Sequence, residues 1–175
     1  MSSKVTQQWA TFARIWYILN ADRQAVGRLA GVICPILQGN HKPIYHPSSD
    51  CGDHVVVYNT RHIAMDGEDW VRKKYYHHTG YPKGFSATPA YEVHANDPTK
   101  LVYKAVYGMM PKDLRRGTIM TRLHLFPDDV IPKEILDNIS EQIKPPVDIP
   151  KRLDEYTDEE RAAFPRLFVP KELET

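Results

Sequence analysis

Asp50-Cys51-Gly52-Asp53-His54-Val55-Val56-Val57-Tyr58 decides the fold class. Its first four residues are turn chemistry, and they lead into a continuous β-branched run. A strand with one wet face alternates apolar and polar residues; an unbroken run is typical of a strand covered on both faces, and so of a central parallel sheet. Working back toward the amino terminus, Ile15 to Leu19 is a short apolar run with two aromatics, read as a second buried strand. Asn20-Ala21-Asp22 supplies a turn or cap. Val26, Leu29, Ala30, Ile33 and Leu37 then mark one face of a helix that Pro35 should kink or shorten. Gln38 to Ser49 is polar, with Gly39, Pro43, Pro47 and a basic His41-Lys42, and reads as an extended loop.

Working forward, Ile63-Ala64-Met65 predicts a short strand and Asp66-Gly67 a hairpin-type turn. Residues 88 to 95 predict one or two helical turns. Asp97-Pro98 opens a helix with core face Leu101, Val102, Ala105 and Val106 that Gly108 ends. Lys112 to Arg122 predicts a short helix with Leu114, Ile119 and Leu123 inward and Arg115, Arg116 and Arg122 outward. Pro132 to Ile143 reads as one amphipathic helix, Pro145-Pro146 and Pro150 force an extended linker, and Thr157-Asp158-Glu159-Glu160 matches a capping box for a last helix to Ala163. Phe164, Leu167 and Phe168 are too apolar for a free tail.

The chemistry concentrates in Lys73-Lys74-Tyr75-Tyr76-His77-His78-Thr79-Gly80-Tyr81-Pro82-Lys83-Gly84-Phe85. No acid stands between Trp70 and Glu92, whereas a surface built only for solubility mixes both signs. Lysines neutralise phosphates and release counterions. Tyrosine and histidine rings offer planes to splayed bases, and Thr79 can donate to a phosphate or a 2′-hydroxyl. The plainer reading is a strand whose alternate rings face the core, followed by a solvated loop. A second basic block, Met109 to Gly117 and then Arg122 to Phe126, is again punctuated by Pro and Gly, and two such blocks imply one RNA-binding surface. Lys42 is a further phosphate contact. Gly27-Arg28 near a helix start could approach an anion, or the glycine could serve tight packing.

The net charge of +1 hides an asymmetry. Residues 1 to 126 hold 16 Lys+Arg against 9 Asp+Glu, and residues 127 to 175 hold 7 against 13. The acidic stretch would be repelled by phosphate, so it should lie against protein or solvent. Cys34 and Cys51 have no CxxC spacing and imply neither disulfide scaffold nor zinc knuckle, only buried small side chains in a reducing compartment. No apolar run approaches the roughly 18 residues of a membrane span, so no membrane partner is expected. The first 21 residues lack acids and resemble a weak mitochondrial targeting segment. Trp9, Phe12, Ile15 and Trp16 recur there at helical spacing, and the segment is expected to stay in the mature chain.

Taken in order, Trp16-Tyr17, Gly27-Arg28-Leu29-Ala30, Leu37-Gln38-Gly39, His41-Lys42-Pro43 with Tyr45, Asp50 to Val57, Lys74 to Pro82, Gly108-Met109-Met110-Pro111-Lys112 and Arg122-Leu123-His124-Leu125 resemble the L-thirteen family of large-subunit ribosomal proteins, and in particular its mitochondrial members. The resemblance implies an α/β fold: a three-layer α/β/α core with a mostly parallel four-stranded sheet. It divides the chain into an amino-terminal arm (1–14), an RNA-binding core (15–126) and a helical carboxy-terminal extension (127–175) similar to the added tail of mitochondrial members. It implies a structural constituent of the mitochondrial ribosome, in the matrix, that binds large-subunit rRNA and supports its folding and assembly. Neighbouring ribosomal proteins would be met through 127–175. No cofactor, catalytic residue or small-molecule substrate is implied.

The expected RNA-binding set is Arg28, Lys42, Lys73, Lys74, Tyr76, His77, His78, Thr79, Tyr81, Lys83, Lys112, Arg115, Arg116 and Arg122. Two positions depart from the family pattern. Lys83 stands where many members have a second loop glycine, and Tyr107 replaces a commonly basic residue. Two other functions compete: an RNA-binding regulator acting away from ribosomes, and a metal-dependent hydrolase if Asp50, Asp53, His54, His77, His78 and His124 converge. No His-Glu-x-x-His, Walker loop, Gly-x-Ser-x-Gly or dinucleotide fingerprint supports the hydrolase.

Overall fold

The computed structural model describes residues 13–165. Its elements are β1 (Trp16–Asn20), α1 (Val26–Gln38), β2 (His54–Tyr58), α2 (Asp69–Arg72), β3 (Lys74–His78), β4 (Phe85–Pro89), α3 (Ala90–Asn96), α4 (Lys100–Met109), α5 (Arg116–Met120), β5 (Leu123–Leu125), α6 (Lys133–Leu136), β6 (Glu141–Gln142) and α7 (Asp158–Ala162). Four strands form one sheet in the order β5-β2-β1-β6, every pair parallel. Val55, Val56 and Val57 are fully buried at its centre, as the unbroken run predicts.

Strand alternation sorts the sheet into two faces. Leu19, Val55, Val57 and Leu123 join the main core with α1 residues Leu29, Ile33 and Leu37 and α4 residues Leu101, Val102 and Val106. Helix α1 buries the predicted stripe and Cys34 besides. Pro35 does not cut it short. The helix runs one turn further, to Gly39 in the left-handed region at φ 82°, where a Cβ would meet the Cys51 carbonyl. Burial pushes the Cys34 thiol up to about 11, which keeps it an inert packing group.

The opposite face carries a row of rings. Trp16 stacks on His54 with centroids 4.1 Å apart, and His124 stacks on Trp16 at 5.1 Å. His54 Nδ1 lies 3.3 Å from His124 Nε2. Burial lowers the pKa of both histidines; for His54 the His124, Arg14 and Arg122 charges lower it further, against Asp53.

Polar bonds close the sheet's amino-terminal end. Arg122, almost fully buried, bonds both Asp50 carboxylate oxygens through Nη1 at 2.7 Å and donates from Nη2 to the Leu37 carbonyl at 3.2 Å. Hydrogen bonds from Arg122 hold the Asp50 carboxyl below the usual carboxylate range, against desolvation and with help from the Arg122 and Arg14 charges. Asp53, fully buried, accepts from the Ile15 N–H and from Lys42 Nζ, and His41 Nε2 lies 3.0 Å from its other oxygen. At Gly52 a Cβ would collide with the Leu37 carbonyl and crowd Arg122.

Several expectations change. Pro132 to Ile143 is not one helix: α6 is a single turn, and β6 then pairs with β1 as the sheet's fourth strand, continued by the Ile143 N–H to the Ile18 carbonyl. The apolar spacing of Ile135, Leu136 and Ile139 fits either element over so short a run. Ala64 forms only an isolated bridge with Ala25. Asp66-Gly67 leads into α2 and not a hairpin. Leu114 is fully exposed, because α5 starts only at Arg116 and no helical period governs a residue before it. Trp9, Phe12, Leu167 and Phe168 lie outside the described residues, and Trp16 belongs to β1.

The last stretch folds back on the domain. The Gln24 side chain, buried, donates to the Val147 carbonyl at 2.8 Å and accepts from the Val147 N–H at 3.1 Å. Arg23 pairs with Glu155 at 2.7 Å. The expected capping box on α7 is present, with Thr157 accepting from the Glu160 N–H.

Two predictions follow from the buried polar groups. Asp50→Ala strands the Arg122 guanidinium and costs about 3 kcal/mol, whereas Arg122→Met leaves a half-exposed carboxylate that water can serve and stays within about 1 kcal/mol of wild type. Urea denaturation measures both, and equal losses would refute the charge argument. For the histidines, a folded pKa below the unfolded value of about 6.5 means that the unfolded chain binds more protons. Stability is therefore full above about pH 6.5 and falls as the pH drops toward the folded values. The His54→Phe/His124→Phe double variant should flatten the urea midpoint between pH 7 and pH 5; an unchanged slope would place the dependence elsewhere.

Candidate nucleic-acid interface

The lysine-tyrosine stretch forms a two-stranded antiparallel hairpin of its own, separate from the main sheet, with Lys74 opposite Pro89 and His78 opposite Phe85. The hairpin rests on α2 and α3. Alternation gives it two faces. Tyr75 faces inward, half-buried against the core, with Lys104 Nζ 4.8 Å from its ring centroid. Tyr76 faces outward and stacks diagonally on Phe85, centroids 5.7 Å apart, and both rings are more than 60% exposed. An apolar pair left in water beside Lys73 and Lys74 is not a packing element of this chain.

The hairpin tip is held by its own backbone. The Thr79 N–H donates to the Gly84 carbonyl, and the Gly84 N–H to the Tyr81 carbonyl at 2.9 Å. His78 Nδ1 accepts from the Gly80 N–H at 2.9 Å, which directs that ring along the loop. Gly80 and Lys83 both have positive φ, 86° and 65°. A glycine would hold the position of Lys83 without strain, and this chain accepts backbone strain there to carry a cation. A Cβ on Gly84 would collide with the Thr79 hydroxyl. Thr79, Tyr81 and Lys83 are all exposed.

Helix α4 links this hairpin to the second basic block. Lys100 and Lys104 line a groove with Tyr75, Tyr76 and His77. One turn on, Tyr107 stacks on Tyr103 and takes the Arg116 guanidinium 4.2 Å from its ring centroid. Arg116 Nε also donates to the Pro111 carbonyl at 3.1 Å, while Arg115 donates to the Pro47 carbonyl and so ties α5 to the loop after α1. Lys112 is exposed. Lys100, Lys104, Tyr103 and Tyr107 were absent from the expected set; their i,i+4 spacing on one helix was the available signal.

Three expected contacts need comment. Arg122 is buried and spent on Asp50 and Leu37, so it supports the fold and offers nothing to phosphate. Lys42 is likewise committed to buried Asp53, with its side chain only 12% exposed. Arg28 is exposed on the first turn of α1, without a hydrogen bond or ion pair among the described residues; a Cβ on Gly27 would meet open space, so tight packing does not explain that glycine. The hydrolase set does not converge either. Asp50 and Asp53 are salt-bridged, His54 and His124 stack with Trp16, and His77 and His78 lie on opposite faces of the hairpin. Among the described residues no three of His, Cys, Asp and Glu gather as a metal site, and no helix is long and apolar enough to cross a membrane.

A family model described as ribosomal protein L13 matches residues 14–132. The chain belongs to the ribosomal protein L13 family. It is 49% identical over 166 residues, 95% of its length and 93% of the relative's, to large ribosomal subunit protein uL13m of Drosophila melanogaster. It is also similar to bacterial uL13 proteins: 46% identical over 58% of the chain and 72% of the relative from Acholeplasma laidlawii, and 43% over 65% and 80% for Dictyoglomus thermophilum. The family match stops before β6, whereas an alignment of 166 residues must take in most of the carboxy-terminal stretch as well. The L13 match thus covers both the hairpin and the second basic block.

The hairpin tip yields a paired prediction. Gly84→Ala should distort the loop and cost about 1–3 kcal/mol through overpacking, while Lys83→Gly relieves a left-handed lysine and gains up to about 1 kcal/mol. Thermal denaturation reads both. A neutral Gly84→Ala would show that the tip does not depend on this close approach.

Proposed function

We propose that the protein is a structural constituent of the large subunit of the mitochondrial ribosome, where it binds large-subunit rRNA and acts by positioning and not by chemistry. The observation that carries this reading is the near full-length similarity to uL13m. The exposed Tyr76–Phe85 platform set among uncompensated lysines supports it. Lys73, Lys74, Lys83, Lys112, Arg115 and Arg116 would neutralise phosphates crowded in folded RNA, with Lys100 and Lys104 extending the same face. Tyr76, His77, His78 and Tyr81 would stack on or hydrogen-bond to unpaired bases, and Thr79 would donate to the backbone. Residues 15–126 are the RNA-binding core, and the matrix is the compartment.

The stretch 127–175 serves as a docking arm whose free side faces neighbouring ribosomal proteins. Its inner side is already used, through β6, Val147 and Glu155. Leu153, 73% exposed, supplies an apolar residue for a partner.

The test is sedimentation of lysed mitochondria through a high-salt gradient, with crosslink mapping of the retained chain. Retention with the large particle and crosslinks from Lys73 to Lys83 are expected; a chain stripped to the top of the gradient would favour the extra-ribosomal regulator instead. A chain lacking residues 145–175 should enter the particle poorly, and unchanged incorporation would remove the docking role.

A further inference from the structure

Beneath the second basic block lies a cavity of about 140 Å³ between the loop after α1 and helix α5. Its walls include Tyr45 and Ser49 from the loop, Pro111 and Asp113 from the turn before α5, and Thr118 and Ile119 from α5 itself. Arg115 and Arg116 also border it, and the Arg115 bond to the Pro47 carbonyl ties the loop to α5. A cavity of about 150 Å³ accepts a benzene ring, so this one, open on one side, has room for a flat ring system. Tyr45, Pro111 and Ile119 supply apolar surface for the faces of such a ring. Asp113 supplies an acceptor: its carboxylate makes only a 3.7 Å contact with Arg115 among the described residues.

The surroundings point to the same ligand. Lys112, Arg115 and Arg116 place three cations within five residues of sequence beside the cavity. Between them Leu114 is fully exposed, an aliphatic side chain with no core to enter. Apolar side chains so placed are used as wedges that fill the gap left when a base leaves its stack. A ring-sized cavity, flanking phosphate-binding cations and a free wedge are together what capture of a turned-out base requires.

We propose that this cavity holds one base of the bound RNA, turned out of its strand, and favours a base that carries an exocyclic amine. Adenine, cytosine and guanine can donate from that amine to Asp113, whereas uracil has no amine there and offers the carboxylate only its single ring N3–H. Leu114 occupies the space the base vacates, and Arg115 and Arg116 hold the flanking phosphates. The proposal rests on the RNA-binding reading above and adds to it a pocket with base preference.

Fluorescence anisotropy of the full-length protein with labelled single-stranded oligo(A), oligo(C) and oligo(U) RNA, over a range of salt, tests it. Wild type should bind oligo(A) and oligo(C) about tenfold more tightly than oligo(U). Thr118→Trp and Ser49→Phe fill the cavity from opposite walls without touching a charge. Both should bring oligo(A) and oligo(C) down to the oligo(U) level, with the salt slope unchanged because the phosphate contacts remain. Asp113→Asn should shrink the ratio between oligomers, a readout that its altered charge alone does not move. Equal wild-type binding of the three oligomers, or filled variants that bind as wild type while Lys74→Ala weakens all three, would overturn the pocket and leave the RNA interface standing. Absence of binding to any oligomer at low salt would overturn both.

Discussion

The guanidinium of Arg122 ties three segments of the chain together at one end of the sheet, and its charge must be answered there. It lies at the start of β5 and bonds the last turn of α1 through the Leu37 carbonyl and the loop before β2 through Asp50. Burying a cation is costly unless it is answered, and these two partners answer its Nη1 and Nη2 from different segments, with Nε left without a partner among the described residues. Gly52 is required beside it, since any side chain there would collide with the Leu37 carbonyl. The neighbouring Asp53 repeats the arrangement with the sign reversed, drawing in Lys42, His41 and the Ile15 N–H. The hydrophobic core decides that α1 and α4 cover the sheet; these two charged nodes decide where the long polar loop must run. The floor on which α5 and its arginines sit is thereby fixed.

That rigidity contrasts with the hairpin. Tyr75 is its anchor, while Tyr76 and Phe85 stack only on each other and Tyr81 projects from the tip. A surface for irregular RNA benefits from this division, because the core fixes the base of the arm and the rings stay available. The left-handed Lys83 belongs to the same logic: strain at a loop tip persists where it places a functional group.

Much of this was legible in the sequence, for definite physical reasons. The Val55–Val57 run, the α1 stripe and the Thr157 capping box are local signals, and each appears where the pattern put it. The failures are non-local. Lys42 and Arg122 look like any basic residue in a turn-rich segment, and only the fold brings buried Asp53 and the Leu37 carbonyl to them. β6 is two residues of Glu and Gln with no strand signature, made a strand by the open edge of β1. The surface residues of α4 show in the sequence only an i,i+4 spacing, which marks a helix face and gains its meaning once the hairpin and Arg116 stand beside it.

The distribution of charge explains how a chain with a net charge of +1 can present a face to a polyanion. In a parallel sheet the strand ends are not equivalent. The part of the acidic stretch around Val147 and Glu155 lies at the carboxy-terminal end of β1, on Arg23 and Gln24, and there Glu155 pairs with Arg23 and Glu160 with Lys151. Arg115 and the cavity beside it lie at the opposite end, next to Asp50 and the end of α1. Five residues of strand separate those ends by roughly 16 Å, about twice the screening length at physiological salt. Phosphates at the basic end therefore meet the arginines at a distance from Glu155 and Glu160, whose charges are already paired.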